Sequence, residues 1–210
     1  IKFFNKSNQL TIMRSIDFTG NINIDCERLY DLLKDYVEPV AYSGTERKTG
    51  QFKLAKQGKK IGSMLYGYTW KGYLKRDKET GEMIYRTKSQ YDGLYNTKIK
   101  DMFPQLDSIF RRFADLHLPN FKYTQVQINI NFLSPPHFDG ANIGESVIVG
   151  LGNYVGGKLI VEQEDKIIKQ DIHHRPFKFN GSKYKHYVNA VESGDRYTLV
   201  FFNNNKLKTF

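Results

Sequence analysis

A chain of 210 residues, 40% hydrophobic and 14% aromatic, can bury one sizeable core but is too short for two ordinary ones. Its longest apolar runs, such as Tyr197 to Phe202, fall well short of the roughly 20 residues a membrane-spanning helix needs, and a single cysteine, Cys26, excludes an internal disulfide or a cysteine-built metal site. The 32 Lys and Arg against 22 Asp and Glu leave a formal charge of +10, which fits either a polyanionic partner such as nucleic acid or scattered surface lysines.

One domain spanning 1–210 is therefore expected, monomeric, off the membrane and inside a cell, in nucleus or cytoplasm. The opening Ile1-Lys2-Phe3-Phe4 carries no secretory pattern. Residues 1–120 read as a mixed, helical region on the substrate side, and 121–210 as a strand-rich core.

In chain order, Ile24 to Tyr36 places Leu29, Leu32, Leu33 and Tyr36 on one helical face, with Asp25 as the expected cap. Lys48 to Arg76 is rich in Lys, Gly and aromatic residues. Within it Tyr66, Tyr68 and Trp70 alternate as on one face of a strand. That face is either core or a base-stacking surface, with Lys53, Lys56, Lys59, Lys60 and Lys71 supplying charge. Ser89 to Asn96 is a candidate substrate loop in which Tyr91 and Tyr95 could stack. Phe103 to Leu116 predicts a second helix, buried through Leu106, Ile109, Phe110 and Phe113, with Pro104 in its first turn. Arg111 and Arg112 on it are candidate phosphate contacts, and His117 near its end reads as structural.

From Tyr123 onward short strand-like segments follow one another. They cover 124–132, 145–150, 158–162, 167–171, 177–179, 186–191 and 196–202, separated by Pro135-Pro136, Gly156-Gly157, Asn180-Gly181 and Ser193-Gly194. Such a series implies a β-sandwich or jelly-roll barrel. Gly150, Gly152, Gly156 and Gly157 read as turn glycines, because no phosphate-loop pattern follows them. His173 and His174 read as surface residues at a strand junction.

His137 and Asp139 stand two apart after a Pro-Pro pair, so on extended backbone both side chains leave the same side. With His186 they make two imidazoles and a carboxylate, a facial set that leaves positions open on Fe(II). Singly, each has a plain structural reading: a turn histidine, a loop cap, a barrel histidine. Ten residues after His186, however, Arg196 lies in an apolar strand, where a guanidinium needs an anion. A dicarboxylic acid chelating the metal at one end would present its other carboxylate to Arg196, and Thr198 faces the same way. Asn129 or Asn131, on the preceding strand, could add a hydrogen bond. Asn142 and Ser146 could line the mouth and touch substrate, although loop bonding is the plainer reading.

The stretch from His137-Phe-Asp-Gly to Gly156-Gly-Lys-Leu, with Phe179-Asn-Gly, His186 and Gly194-Asp-Arg-Tyr-Thr-Leu-Val-Phe-Phe, resembles the TET/JBP-like 2-oxoglutarate/Fe(II) dioxygenases, in a compact viral or microbial form. The resemblance covers roughly 123–204. It implies a mainly β, α+β fold: a double-stranded β-helix (jelly-roll, cupin-like) braced by N-terminal helices. It also implies iron on His137, Asp139 and His186, and 2-oxoglutarate on Arg196. Oxygen would be the second co-substrate, succinate and CO2 the co-products, and ascorbate a stimulating reductant. The expected substrate is a methyl group on a DNA pyrimidine, 5-methylcytosine or thymine. Alternatives are a protein side chain, RNA or a small molecule, or a barrel that binds without catalysis.

Overall fold

The computed structural model describes residues 15–38, 61–71, 74–76, 79–80, 83–85 and 93–204. Strand alternation decides its architecture. Along Arg196–Asn204 the residues Tyr197, Leu199 and Phe201 point to one side and are fully buried, while Arg196, Thr198, Val200 and Phe202 point to the other. Gln125–Ile130 repeats this, with Val126, Ile128 and Ile130 on the first side and Gln125, Gln127 and Asn129 on the second. The first side is closed by helices and the second faces a cavity.

The strands in chain order are β1 (Gly62–Lys71), β2 (Leu74–Arg76), β3 (Met83–Tyr85), β4 (Gly93–Asn96), β5 (Gln125–Ile130), β6 (Asn142–Gly152), β7 (Val155–Gly156), β8 (Leu159–Glu162), β9 (Ile167–Gln170), β10 (Phe177–Phe179), β11 (Lys185–Val188), β12 (Val191–Ser193) and β13 (Arg196–Asn204). The main sheet runs β10-β6-β13-β5-β1-β4, and a smaller sheet runs β11-β8-β9. His137 extends the smaller sheet through a bridge to His186. From β5 onward the chain passes back and forth between the two sheets. That interleaving makes a double-stranded β-helix. Strands β1 and β4, from the N-terminal half, prolong the main sheet beyond β5.

Two helices cover the outer face. Helix α1 (Ile22–Leu32) runs into a π-helical turn at Leu33–Val37. A short helix α2 (Lys98–Met102) precedes α3 (Leu106–His117). Leu29, Leu33, Phe110 and Phe113 are fully buried against the sheet, and the Phe113 ring stacks 6.2 Å from that of Phe201. Each such side chain contributes about 1.5–3 kcal/mol of burial.

Several sequence expectations change. The cap of α1 is Asn21, whose side chain accepts from the Asn23 and Ile24 amides. Asp25 is instead buried inside the first turn, and Tyr36 is only half-buried. Pro104 lies between α2 and α3 rather than in a first turn. Tyr66 is buried but Tyr68 is 42% exposed, because Gly67 adopts φ +125° where β1 turns from β5 to β4. Gly150 sits within β6 rather than in a turn. Lys53, Lys56, Lys59, Lys60 and Tyr91 lie outside the described residues, as do the side chains of Trp70, Lys71 and Tyr95. Among the described residues no helix is long and apolar enough to cross a membrane.

Candidate metal centre

His137, Asp139 and His186 converge, each offering a ligand atom within 4.8 Å of the others. Backbone bonding fixes them. The His137 amide donates to the His186 carbonyl at 3.1 Å and the His186 amide returns the bond at 3.0 Å. The Asp139 amide donates to the Gly181 carbonyl at 2.9 Å, holding the carboxylate beside the two rings. Asp139 Oδ1 is 3.4 Å from His137 Nε2, and Oδ2 is 3.5 Å from His186 Nε2.

Both rings present the same nitrogen. His137 Nδ1 bonds the Pro135 carbonyl at 2.8 Å and His186 Nδ1 the Tyr184 carbonyl at 3.1 Å, so each Nδ1 carries the proton and each Nε2 lone pair faces the common centre. The Asp139 hydrogen bond raises the His137 pKa above the usual histidine range, whereas burial lowers that of His186. Asn142 donates to Asp139 Oδ2 at 3.1 Å and to Ser146 Oγ at 3.4 Å. Asn142 thus orients a ligand and lines the cavity, while Ser146 is fully buried and supports Asn142 from behind.

A cavity of about 500 Å³ runs past the triad. At its closed end Arg196 is 1% exposed; its Nε donates to the Gly157 carbonyl at 3.0 Å, and its Nη2 has no hydrogen-bond partner. The guanidinium lies 5.4 Å from the Tyr154 ring centre. Gly157 makes room for it, since a Cβ there would come within 2.8 Å of Arg196 Cδ, and φ is +60°. A buried, charged donor without an acceptor is the counterpart of a carboxylate. Thr198 Oγ1 accepts from Asn129 Nδ2 at 3.1 Å, so its own proton is free to donate beside Arg196. Asn129 therefore acts through Thr198. Asn131 instead accepts from the Arg196 amide at 2.8 Å and takes a positive φ of 49°.

The remaining candidates are occupied locally. Arg111 pairs with Asp107 at 2.8 Å, and Arg112 donates to the Ile16 carbonyl. His117 is held 2.8 Å from Asp25. His173 and His174 are half-buried rather than superficial: His173 Nε2 lies 2.7 Å from the Gly152 carbonyl, and burial lowers the His174 pKa. Sequence reasoning missed Gly157, Gly181 and Tyr154, because their roles depend on contacts between segments distant in the chain. It also passed over Gln125 and Gln127, which the strand alternation with Asn129 could have found.

Fold and donor set suit the chemistry of an Fe(II)- and 2-oxoglutarate-dependent oxygenase. Two imidazoles and a carboxylate suit Fe(II), and the unpaired Arg196 donor suits the co-substrate's far carboxylate. No family model and no curated protein matches the chain. Among solved structures it is similar to NgTET1 in complex with 5mC DNA, at 18% identity and a TM-score of 0.46, over 78% of this chain and 69% of that one. A Pseudomonas putida prolyl-4-hydroxylase gives 10% identity and the same TM-score of 0.46, over 90% and 89%. A 2OG-Fe(II) oxygenase family protein from Burkholderia pseudomallei gives 19% and 0.38, over 52% and 60%. Likeness at this level does not choose between substrates.

Proposed function

We propose that this chain hydroxylates the methyl group of a pyrimidine in DNA, 5-methylcytosine or thymine, converting 2-oxoglutarate and oxygen to succinate and CO2. The observation that carries this reading is the cavity itself. It continues from Arg196 past the triad to Gln125, Phe202 and Asn204, and its walls combine Phe132, Phe138, Phe179 and Phe202 with Gln125, Gln127 and Asn142. Flat apolar faces with amide edges suit an extruded, polar-edged ring. Phe138, between the two ligands of the His-x-Asp pair, is 57% exposed at the mouth, where it offers a stacking surface. The formal charge of +10 fits a polyanion.

The division of labour follows from the walls. His137, Asp139 and His186 would hold the iron, which when bound supplies the oxidising chemistry that a C–H bond requires. Arg196 and Thr198 would grip the far carboxylate of 2-oxoglutarate and so set its orientation. Asn142 keeps the Asp139 carboxylate turned toward the histidines. The phenylalanines exclude water and hold the ring so that its methyl points at the centre.

The test is mass spectrometry of nucleosides from DNA incubated with the protein, Fe(II), 2-oxoglutarate and ascorbate, with His137→Ala as control. A product heavier by one oxygen, absent from the control, is expected. Turnover of 2-oxoglutarate without any DNA product would move the substrate to a protein, RNA or small molecule.

A further inference from the structure

The cavity wall that holds Thr198 also carries a polar row across three strands. Thr198 on β13 lies opposite Asn129 on β5, and Asn129 lies opposite Ser63 on β1, so the three side chains are neighbours on one face of the sheet. They are joined end to end. Gln127 Nε2 donates to Ser63 Oγ at 3.0 Å, Ser63 donates to Asn129 Oδ1 at 2.8 Å, and Asn129 Nδ2 donates to Thr198 Oγ1 at 3.1 Å. The row stops beside Arg196, whose Nη2 is buried without a partner. It also stops beside Gly150 of β6, where the Tyr154 hydroxyl, likewise buried without a partner, takes the room of a side chain. Thr198 is 1% exposed, and its hydroxyl proton is what the row has left to donate at that end.

We infer that Ser63, from the N-terminal half of the chain, is a positioning residue for 2-oxoglutarate, acting through Asn129 to keep the Thr198 proton turned to the far carboxylate. This rests on the Arg196 and Thr198 grip proposed above and is independent of the substrate. A carboxylate only accepts, so Thr198 must donate to it and accept from Asn129. That requires the Asn129 amide to hold its nitrogen toward Thr198 and its oxygen toward Ser63, which is the arrangement seen. An asparagine amide can turn over and exchange its ends. Turned, its oxygen would take the Thr198 proton away from the carboxylate. The Ser63 hydroxyl opposes the turn, because it accepts from Gln127 and gives its single proton to Asn129 Oδ1. Bonds that run in one direction also strengthen one another, which makes Thr198 the better donor. In Ser63→Ala the ligand-bound state would leave Asn129 Oδ1 without a donor, whereas the free state recovers one by turning the amide toward Thr198. That difference counts against binding.

The experiment titrates the Co(II)-loaded protein by calorimetry with 2-oxoglutarate and, separately, with oxalate, which chelates a metal but has no far carboxylate to reach Thr198. The proteins are wild type, Ser63→Ala, Thr198→Val and the double variant. Ser63→Ala should weaken 2-oxoglutarate binding by about three- to tenfold and leave oxalate binding unchanged. In the Thr198→Val background the Ser63 substitution should have no further effect, because the proton it orients is gone. The oxalate titration also counts the folded, metal-loaded sites in each preparation, so partial loss of folded protein is corrected. Three results overturn the inference and leave the grip standing: Ser63→Ala binding 2-oxoglutarate like wild type, oxalate weakened in the same proportion, or a loss that persists without the Thr198 hydroxyl. A wild type that binds oxalate but not 2-oxoglutarate overturns the grip beneath it as well.

Discussion

Gly181 occupies a place where no side chain fits. A Cβ there would approach Asp139 Oδ2 to 2.5 Å and His186 Cε1 to 3.0 Å. Since the Gly181 carbonyl also receives the Asp139 amide, the backbone cannot move away without taking a ligand with it. Gly181→Ala should therefore weaken Fe(II) or Co(II) binding by about 10–100-fold, read by metal titration, while the metal-free melting temperature changes little. An unchanged affinity would show that the carboxylate can turn aside at no cost. At the other end of the cavity, Arg196→Met removes the buried guanidinium that lines it and leaves a bound carboxylate without its partner. Binding of 2-oxoglutarate to the metal-loaded protein, followed by calorimetry, should fall by about 30-fold or more, equivalent to roughly 2 kcal/mol.

Between elements, the decisive contact is the one that ties α1 to α3. Asp25, fully buried in the first turn of α1, accepts from the Thr19 amide at 2.8 Å, the Thr19 hydroxyl at 2.9 Å and the Gly20 amide at 3.0 Å, and meets His117 at the end of α3. Burial alone would raise the Asp25 pKa, but the hydrogen bonds from Thr19, His117 and Gly20 outweigh it and hold the carboxyl below its ordinary value. A depressed folded value stabilises the native state wherever the unfolded carboxyl is ionised. The contribution is complete above the unfolded pKa of about 3.9 and is lost as pH falls through the lower folded value. Asp25→Asn should thus cost about 2 kcal/mol, or roughly 4–8 °C in a chain of this size, at pH 6. In urea titrations the gap between variant and wild type should be constant through neutral pH and shrink below about pH 4; a gap that widens in acid would sink the account. This same contact marks how far the sequence could be read. The apolar stripes of α1 and α3, the strands from Gln125 onward and the triad were all legible, because each is a local period or a short spacing. Asp25 reads as a cap by local rules, and only the arrival of His117 from 92 residues away makes it a clamp. Gly67 likewise turns β1 between two partners, which alternation of Tyr66, Tyr68 and Trp70 could not reveal.

For the whole molecule, the charge of +10 raises a question that the cavity cannot answer, namely whether the surface holds a polyanion while the barrel reads one base. Two arginines that sequence alone would assign to phosphate have other work: Arg111 pairs with Asp107, and Arg112 caps the Ile16 carbonyl. On the proposed function, the phosphate footprint would then be drawn largely from lysines, which act as point charges and release counterions when they meet phosphates. A footprint of about 4–6 phosphates gives a slope of roughly −4 to −5 in log affinity against log salt, or two to three orders of magnitude between about 50 and 200 mM. A substitution on the cavity wall that removes no charge, such as Gln127→Met, should leave that slope alone. Binding of a duplex measured across this salt range, for wild type and Gln127→Met, should therefore give two parallel lines. A flat line would remove DNA as the partner while leaving the iron site intact. Lines of different slope would mean that base reading and backbone holding are not separable, and that the walls of the barrel take part in both.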